Sequence, residues 1–211
     1  MEQLVSQHDG MKFIQHQLDQ HASAMDLRRR EPVPAATIES VQSLLRQGAD
    51  PSLLSVNMGD GDMTSTVILA AGKGWVNLIE LFLQIPGLDL NVVDADGENA
   101  LIASLAWGNG LCARLLLDHT DLGALSNTHE SALTACAKCK DLAIASDIIS
   151  RLTPSQMADE AARLDHIRTA GTSSAEMIDA ISGRLLARQE SMALDSFCEK
   201  KNFENSRPRF L

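Results

Sequence analysis

The chain reads as an all-α solenoid of about three to four helical pairs closed by helical caps, and three observations predict it. First, a helix–turn–helix text recurs along the middle of the sequence. It is clearest at Ala70-Ala71-Gly72-Lys73-Gly74-Trp75, followed by Leu78, Ile79, Leu81, Phe82 and Leu83. It returns as Ser104-Leu105-Ala106-Trp107-Gly108 before Leu115-Leu116-Leu117, and as Cys136-Ala137-Lys138-Cys139-Lys140 before Ile148-Ile149. Second, the equivalent positions Val67, Leu101 and Leu133 lie 34 and then 32 residues apart, near the period of about 33 residues found in one class of stacked repeats. Third, 45% of the residues are hydrophobic but only 3% aromatic, with no Tyr. That composition suits helices packed through Ala, Leu and Ile and argues against an aromatic-lined sandwich.

Between the helical pairs stand short turn and exit texts. Asp94-Ala95-Asp96-Gly97 precedes a helix that begins around Ala100-Leu101, and the unit before it leaves through Gly87-Leu88-Asp89-Leu90-Asn91. An earlier exit is Gly48-Ala49-Asp50-Pro51-Ser52. On these residues about half of the chain resembles the ankyrin repeat family. The resemblance implies an ankyrin-repeat solenoid in which hairpin tips and the exposed side of the first helices form a concave surface for protein partners. Departures are visible as well. Ile68, Ile102 and Thr134 stand where the family usually has His, and Thr66, Ala100 and Ala132 replace its Pro. Losing those groups removes a hydrogen-bonding residue and the preset backbone of a first-turn proline, so each unit is expected to be weaker alone.

The elements follow in order. Residues 1–36 are expected to form an N-terminal capping helix, because Leu4, Met11, Leu18 and Met25 recur every seven positions with Ile14 and Ala22 on the same side. Terminal repeats need one polar face. Glu31-Pro32-Val33-Pro34 ends that helix, since neither proline donates a hydrogen bond and each restricts its predecessor. Repeats are expected over 37–153. The first contributes Thr37 to Gln47 as a second helix, with Val41, Leu44 and Leu45 inward and Gly48 as its stop. Leu53 to Met63, with Asn57, Gly59, Asp60, Gly61 and Asp62, reads as a flexible acidic loop. Residues 154–200 read as a C-terminal helical cap. Thr153-Pro154-Ser155-Gln156 is a capping box opening a helix that carries Met157, Ala161, Leu164 and Ile167 and stops near Gly171. Ser173-Ser174-Ala175-Glu176 opens the next, with Met177, Ile181, Leu185 and Met192 inward. Residues 201–211 are polar and expected to be a disordered tail.

A chain of 211 residues is long enough to bury a sizeable core. Its net charge of −10 disfavours nucleic acid, which needs clustered Lys and Arg. From Asp50 to Glu130 eleven acidic side chains face two basic ones, Lys73 and Arg114, so the charge is concentrated on the repeats. Four Cys do not suggest a secreted disulfide framework. The first residues, among them Glu2, His8 and Asp9, lack the basic and apolar regions of a signal peptide. No apolar run approaches the roughly 18 residues needed to span a bilayer. These features predict a cytoplasmic protein without a membrane span. Delivery into a host cell by a route needing no such signal is compatible with them.

Catalytic and metal motifs are sparse. Asp60 and Asp62 hint at a calcium loop, but the final Glu of the pattern is missing. Asp94-Ala95-Asp96-Gly97-Glu98 is better explained as a turn. Cys136-x-x-Cys139 has no second pair, and His129 and Cys112 do not complete a zinc spacing, so core filling is the simpler reading. Asp165 and His166 are neighbours in sequence and point apart on a helix. No cofactor, metal site or catalytic residue is expected. Binding is: the tips supply Asp62, Thr64, Asp96, Glu98, Asn127, Thr128 and Glu130, and the helix ends supply Lys73, Trp107, Lys138 and Cys139. Trp107 occupies a position the family leaves exposed. It reads either as an aromatic anchor with a polar rim or as a cover folded over the neighbouring Ala-rich repeat. Trp75 reads as structural. The expected function is a protein-binding module for a basic partner surface, in the manner of bacterial effectors that engage host proteins. The alternatives are an inhibitor that blocks a toxin or enzyme, and an enzyme whose site lies between caps and repeats.

Overall fold

A computed structural model of the chain describes residues 32–56, 63–171 and 174–205. Within them the order is α1 (Ala35–Arg46), β1 (Leu54–Val56), β2 (Met63–Ser65), α2 (Thr66–Lys73), α3 (Val76–Phe82), α4 (Ala100–Ala106), α5 (Gly110–Leu116), α6 (Ala132–Cys139), α7 (Leu142–Arg151), α8 (Pro154–Ala170) and α9 (Ala175–Asn205). Apart from one two-stranded hairpin the architecture is helical, as expected. First helices stack on first helices, α2 on α4, α4 on α6 and α6 on α8. Second helices stack in a parallel row, α3 on α5, α5 on α7 and α7 on α9. The two C-terminal helices therefore continue the stack as a further pair.

Small side chains make this stacking possible. Thr66 to Ala71 of α2, Ala100 to Leu105 of α4 and Ala132 to Ala137 of α6 are all buried. Ala at these positions lets neighbouring helices approach closely, while Val67, Leu101 and Leu133 fill the space between rows. Leu78, Ile79, Phe82, Cys112, Leu116, Ile144 and Ile148 close the core from the second helices. A helix buried on every side has no stable existence by itself, so each unit depends on the next.

The lost Pro and His of the repeat pattern are replaced by side-chain caps. Ser65, Asn99 and Ser131 each accept a hydrogen bond from the backbone N–H three residues on, at Ile68, Ile102 and Thr134. In α6 the Thr134 hydroxyl returns the favour by accepting from Ser131 N at 2.8 Å, completing a capping box. The expected loss of local support is thus made good within each first turn.

Polar bridges join successive units. Asn109 Nδ2 donates to Ala71 O and Gly72 O, at 3.1 and 2.6 Å. Hairpin backbones zip together: Ala95 N donates to Met63 O at 3.0 Å and Asn127 N to Asp96 O at 2.8 Å. Asn127 Nδ2 adds a bond to Ala95 O, and Asn91 Oδ1 accepts from Asp121 N. At the start of the stack Asn77 exchanges bonds with the backbone of Val33, which is buried.

Three readings need adjustment. Leu53 to Met63 is not wholly a loop, because Leu54, Ser55 and Val56 pair with Ser65, Thr64 and Met63 in an antiparallel ladder that satisfies their backbone groups. Helix α9 runs to Asn205, five residues into the segment expected to be a tail. The first helices expose little but their ends, so they offer no broad open side. The expected N-terminal helix falls mostly on residues 1–31, and Asp60, Asp62 and residues 206–211 likewise lie outside the described residues.

Two predictions follow from the turns. Asn109→Ala removes both bonds and strands Gly72 O, while Ala71 O still accepts from Gly74 N; it is expected to destabilise the fold by about 1–3 kcal/mol in denaturant titrations. Gly74, Gly108 and Lys140 occupy the same left-handed position of three successive turns, at φ 77, 73 and 56 degrees. Only glycine is at ease there, so Lys140→Gly is expected to raise stability by roughly 1 kcal/mol, less the entropy glycine costs in the unfolded chain.

Candidate functional site

Two successive hairpin tips, 94–98 and 126–130, place their charges side by side. Asp94 is consumed locally: its Oδ1 accepts from Asp96 N at 3.0 Å and Glu98 N at 2.9 Å. Asp50, Asp89 and Asp121 do the same at the unit exits, each accepting from the backbone N–H two residues on. Much of the acidic charge counted in the sequence therefore shapes turns. Asp96 and Glu98 remain available. Glu98 lies close enough to feel Asp94, Asp96 and, from the next unit, Glu130 and Lys138. Burial raises its carboxyl above the ordinary value, the three acids add to that, and Lys138 opposes it. Burial likewise raises Asp94, against the pull of the two N–H bonds it accepts. Lys138 Nζ reaches Glu130 Oε2 at 2.8 Å.

Beside this cluster a cleft of about 750 Å³ opens between the third hairpin, α6 and α8. Leu125, Ala162, Ile167 and Ala170 give it apolar walls, and His129, Arg163 and His166 stand at its polar edge. One wall is held by a buried carboxylate. Glu160 is 3% exposed; its Oε2 accepts from Ser131 Oγ and its Oε1 pairs with Arg163 Nη1, both at 2.7 Å. Burial raises the Glu160 carboxyl, while the bond from Ser131 and the Arg163 charge pull it down. The residue that caps α6 thus also anchors the terminal helix pair.

The other expected contact residues are dispersed. Thr64 is 8% exposed and lies in the β1–β2 ladder, so it does not face a partner. Asn127 is exposed, but its amide is spent on Ala95 O, and the Thr128 hydroxyl bonds Ser126 Oγ. Lys73, Trp107 and Cys139 occupy equivalent helix ends, on the opposite end of the first helices from the tips. Trp107 is 72% exposed, and Leu111, past the turn in α5, is 68% exposed. The indole edge also covers Gly72, whose added Cβ would lie 3.6 Å from its Cδ1. The indole is thus both largely exposed and laid against the neighbouring repeat. The whole of α4, about 10 Å of helix, separates it from Glu98. Trp75 is buried at 2%. Cys136 is buried and Cys139 half-buried, both as free thiols.

Glu160, Arg163 and Leu111 were not singled out from the sequence, and His166 only as the neighbour of Asp165. A signal existed for Glu160: it falls among Met157, Ala161, Leu164 and Ile167 on the inward stripe of α8, where a carboxylate needs a partner.

Stacked helix pairs joined by zipped hairpins, with side chains presented at the tips, define a repeat solenoid of the protein-binding kind. The family model for ankyrin repeats (3 copies) matches residues 34–124 and 67–156, more than half of the chain, and the protein belongs to the ankyrin repeat family. Members of that family are generally modules for protein–protein interaction. Among the described residues no helix is long and apolar enough to cross a membrane, and no group of three or more His, Cys, Asp or Glu could hold a metal ion.

A pH test follows from Glu98. Its folded-state pKa is raised above the ordinary 4.5, so the stability it contributes is complete below that value and is lost as pH rises through the folded one. Glu98→Gln is therefore expected to melt higher than the parent at about pH 7 and at the same temperature near pH 4. Equal melting temperatures at both pH values would show that folding does not raise the Glu98 carboxyl.

Proposed function

We propose that the protein recognises a partner with the side that carries the second and third hairpin tips and the adjoining cleft, and that the partner presents basic side chains there. The observation that carries this reading is the convergence of Asp94, Asp96, Glu98 and Glu130 from two units, with Lys138 as counter-charge. A Lys or Arg arriving beside Asp96 and Glu98 relieves a repulsion that the free protein sustains, and the acidic field of the repeats speeds encounter. The apolar walls of the cleft give the same partner a place to bury a side chain. Trp107 with Leu111 forms a second contact, reached only by a partner that extends along the length of α4.

The cleft lies between repeats and cap, where an enzymatic site was also considered. Its carboxylates are engaged, Glu130 with Lys138 and Glu160 with Ser131 and Arg163, which suits a rigid recognition wall. An effector that engages a host protein and an inhibitor that covers a basic cleft both fit this chemistry.

Capture experiments with the full chain separate the two contacts. Replacing Asp96, Glu98 and Glu130 by their amides is expected to abolish capture of the partner at low salt and to flatten its salt dependence. Trp107→Ala is expected to weaken capture about tenfold, as for loss of an exposed aromatic anchor, with the salt dependence unchanged. Unaltered capture by the triple amide variant would overturn the proposal.

A further inference from the structure

The last turn of α6 holds chemistry that recognition does not use. Cys136 and Cys139 are three residues apart, on one side of the helix, close enough for each thiol to set the other's acidity. Cys139 Sγ also lies 3.4 Å from Cys136 O, as a donor to that carbonyl. The two differ in access: Cys136 has no exposed surface, whereas Cys139 is half-buried and reachable from solvent.

We propose that Cys136 and Cys139 form an oxidisable dithiol, in which Cys139 reacts with a low-molecular-weight disulfide such as glutathione disulfide and Cys136 then closes an intramolecular disulfide. The order follows from burial. An external reagent can meet Cys139 alone, so its thiolate attacks one sulfur of the glutathione disulfide. That S–S bond breaks, and one glutathione leaves as a thiolate. Cys136 then gives up its proton and attacks Cys139 Sγ, and the second glutathione leaves. Two cysteine thiols are oxidised, one glutathione disulfide is reduced to two thiols, and the protons released by the cysteines end on them.

The surroundings favour this division of labour. Hydrogen bonding from Cys136 lowers the Cys139 thiol to about 7, so a large share is thiolate at neutral pH. The bond to Cys139, followed by burial, pushes the Cys136 thiol well above the usual range. Once Cys139 carries glutathione, its negative charge is gone and so is the largest of those effects. The first step thus eases deprotonation of the resolving thiol, with burial as the main cause left opposing it.

Closure needs a modest movement. Helical Cβ atoms three apart are about 5–6 Å from each other and a disulfide requires about 3.5–4.5 Å, so the turn must tighten by about 1–2 Å. It lies where the helix can yield: Cys139 is the last residue of α6, and Lys140 has already left the helix at φ 56 degrees. Losing the Cys139 S–H leaves no orphan, because Cys136 O still accepts from Lys140 N at 3.0 Å.

The test uses the full chain carrying Cys198→Ser, which removes an exposed thiol on α9. After incubation with glutathione disulfide, acid quench and alkylation, peptide mass mapping is expected to show a Cys136–Cys139 link with two hydrogens lost and no glutathione retained. Adding Cys136→Ser is expected to trap one glutathione on Cys139. Adding Cys139→Ser is expected to leave Cys136 unmodified. A parent protein that stops with glutathione on Cys139, or in which neither cysteine reacts, would overturn the proposal, as would modification of Cys136 in the Cys139→Ser protein.

Discussion

The structure depends on one constraint: no helical pair can bury itself. The first helices are apolar on every side, and their small residues find cover only against the helix before and the helix after. Hydrophobic burial supplies the bulk of the favourable free energy, but it does not by itself set the register of one pair on the next. That is done by amides. Asn109 grips the turn of the preceding unit, Asn127 grips the preceding hairpin, and Asn91 is gripped by the following exit. Each bond joins neighbours only, so stability accumulates along the stack one interface at a time.

The same constraint dictates where function can lie. With the first helices covered, the chain presents itself at hairpin tips, at helix ends and at the step where the stack passes into α8 and α9. Charge separates these regions. The tips carry carboxylates that repel one another, the helix ends carry Trp107 and Leu111, and the cleft combines apolar walls with His and Arg. Acidic residues that look like binding groups in a count turn out to have two occupations. Asp50, Asp89, Asp94 and Asp121 hold turns together, while Asp96 is exposed and Glu98 half-buried beside it.

The period and the helix pairs were legible because they rest on hydrophobic spacing, which survives when individual consensus residues drift. Gly48, Gly74 and Gly171 marked helix ends for the same local reason: each takes a left-handed backbone conformation. The C-terminal pair was legible from the capping box at Thr153 and the stripe on α8. What escaped depends on neighbours remote in sequence. Ser131 and Glu160 are 29 residues apart and meet only because α8 stacks on α6. Thr64 reads as a tip residue until the ladder with Ser55 is seen. The distance between Trp107 and the acids is set by the length of α4, which a grouping by residue type ignores.

The bond between Ser131 and Glu160 has a consequence for how the protein can be shortened. The hydroxyl that starts α6 is shared with a carboxylate from the final helix pair, and that pair also supplies half the walls of the cleft. A fragment cut after Gln156 would keep every residue matched by the family yet lose the groove, leave Ser131 with a bond to refill, and bare the apolar flank of α6 and α7. The terminal pair is thus part of the surface that carries the cleft, and a shortened form that keeps the groove must retain it.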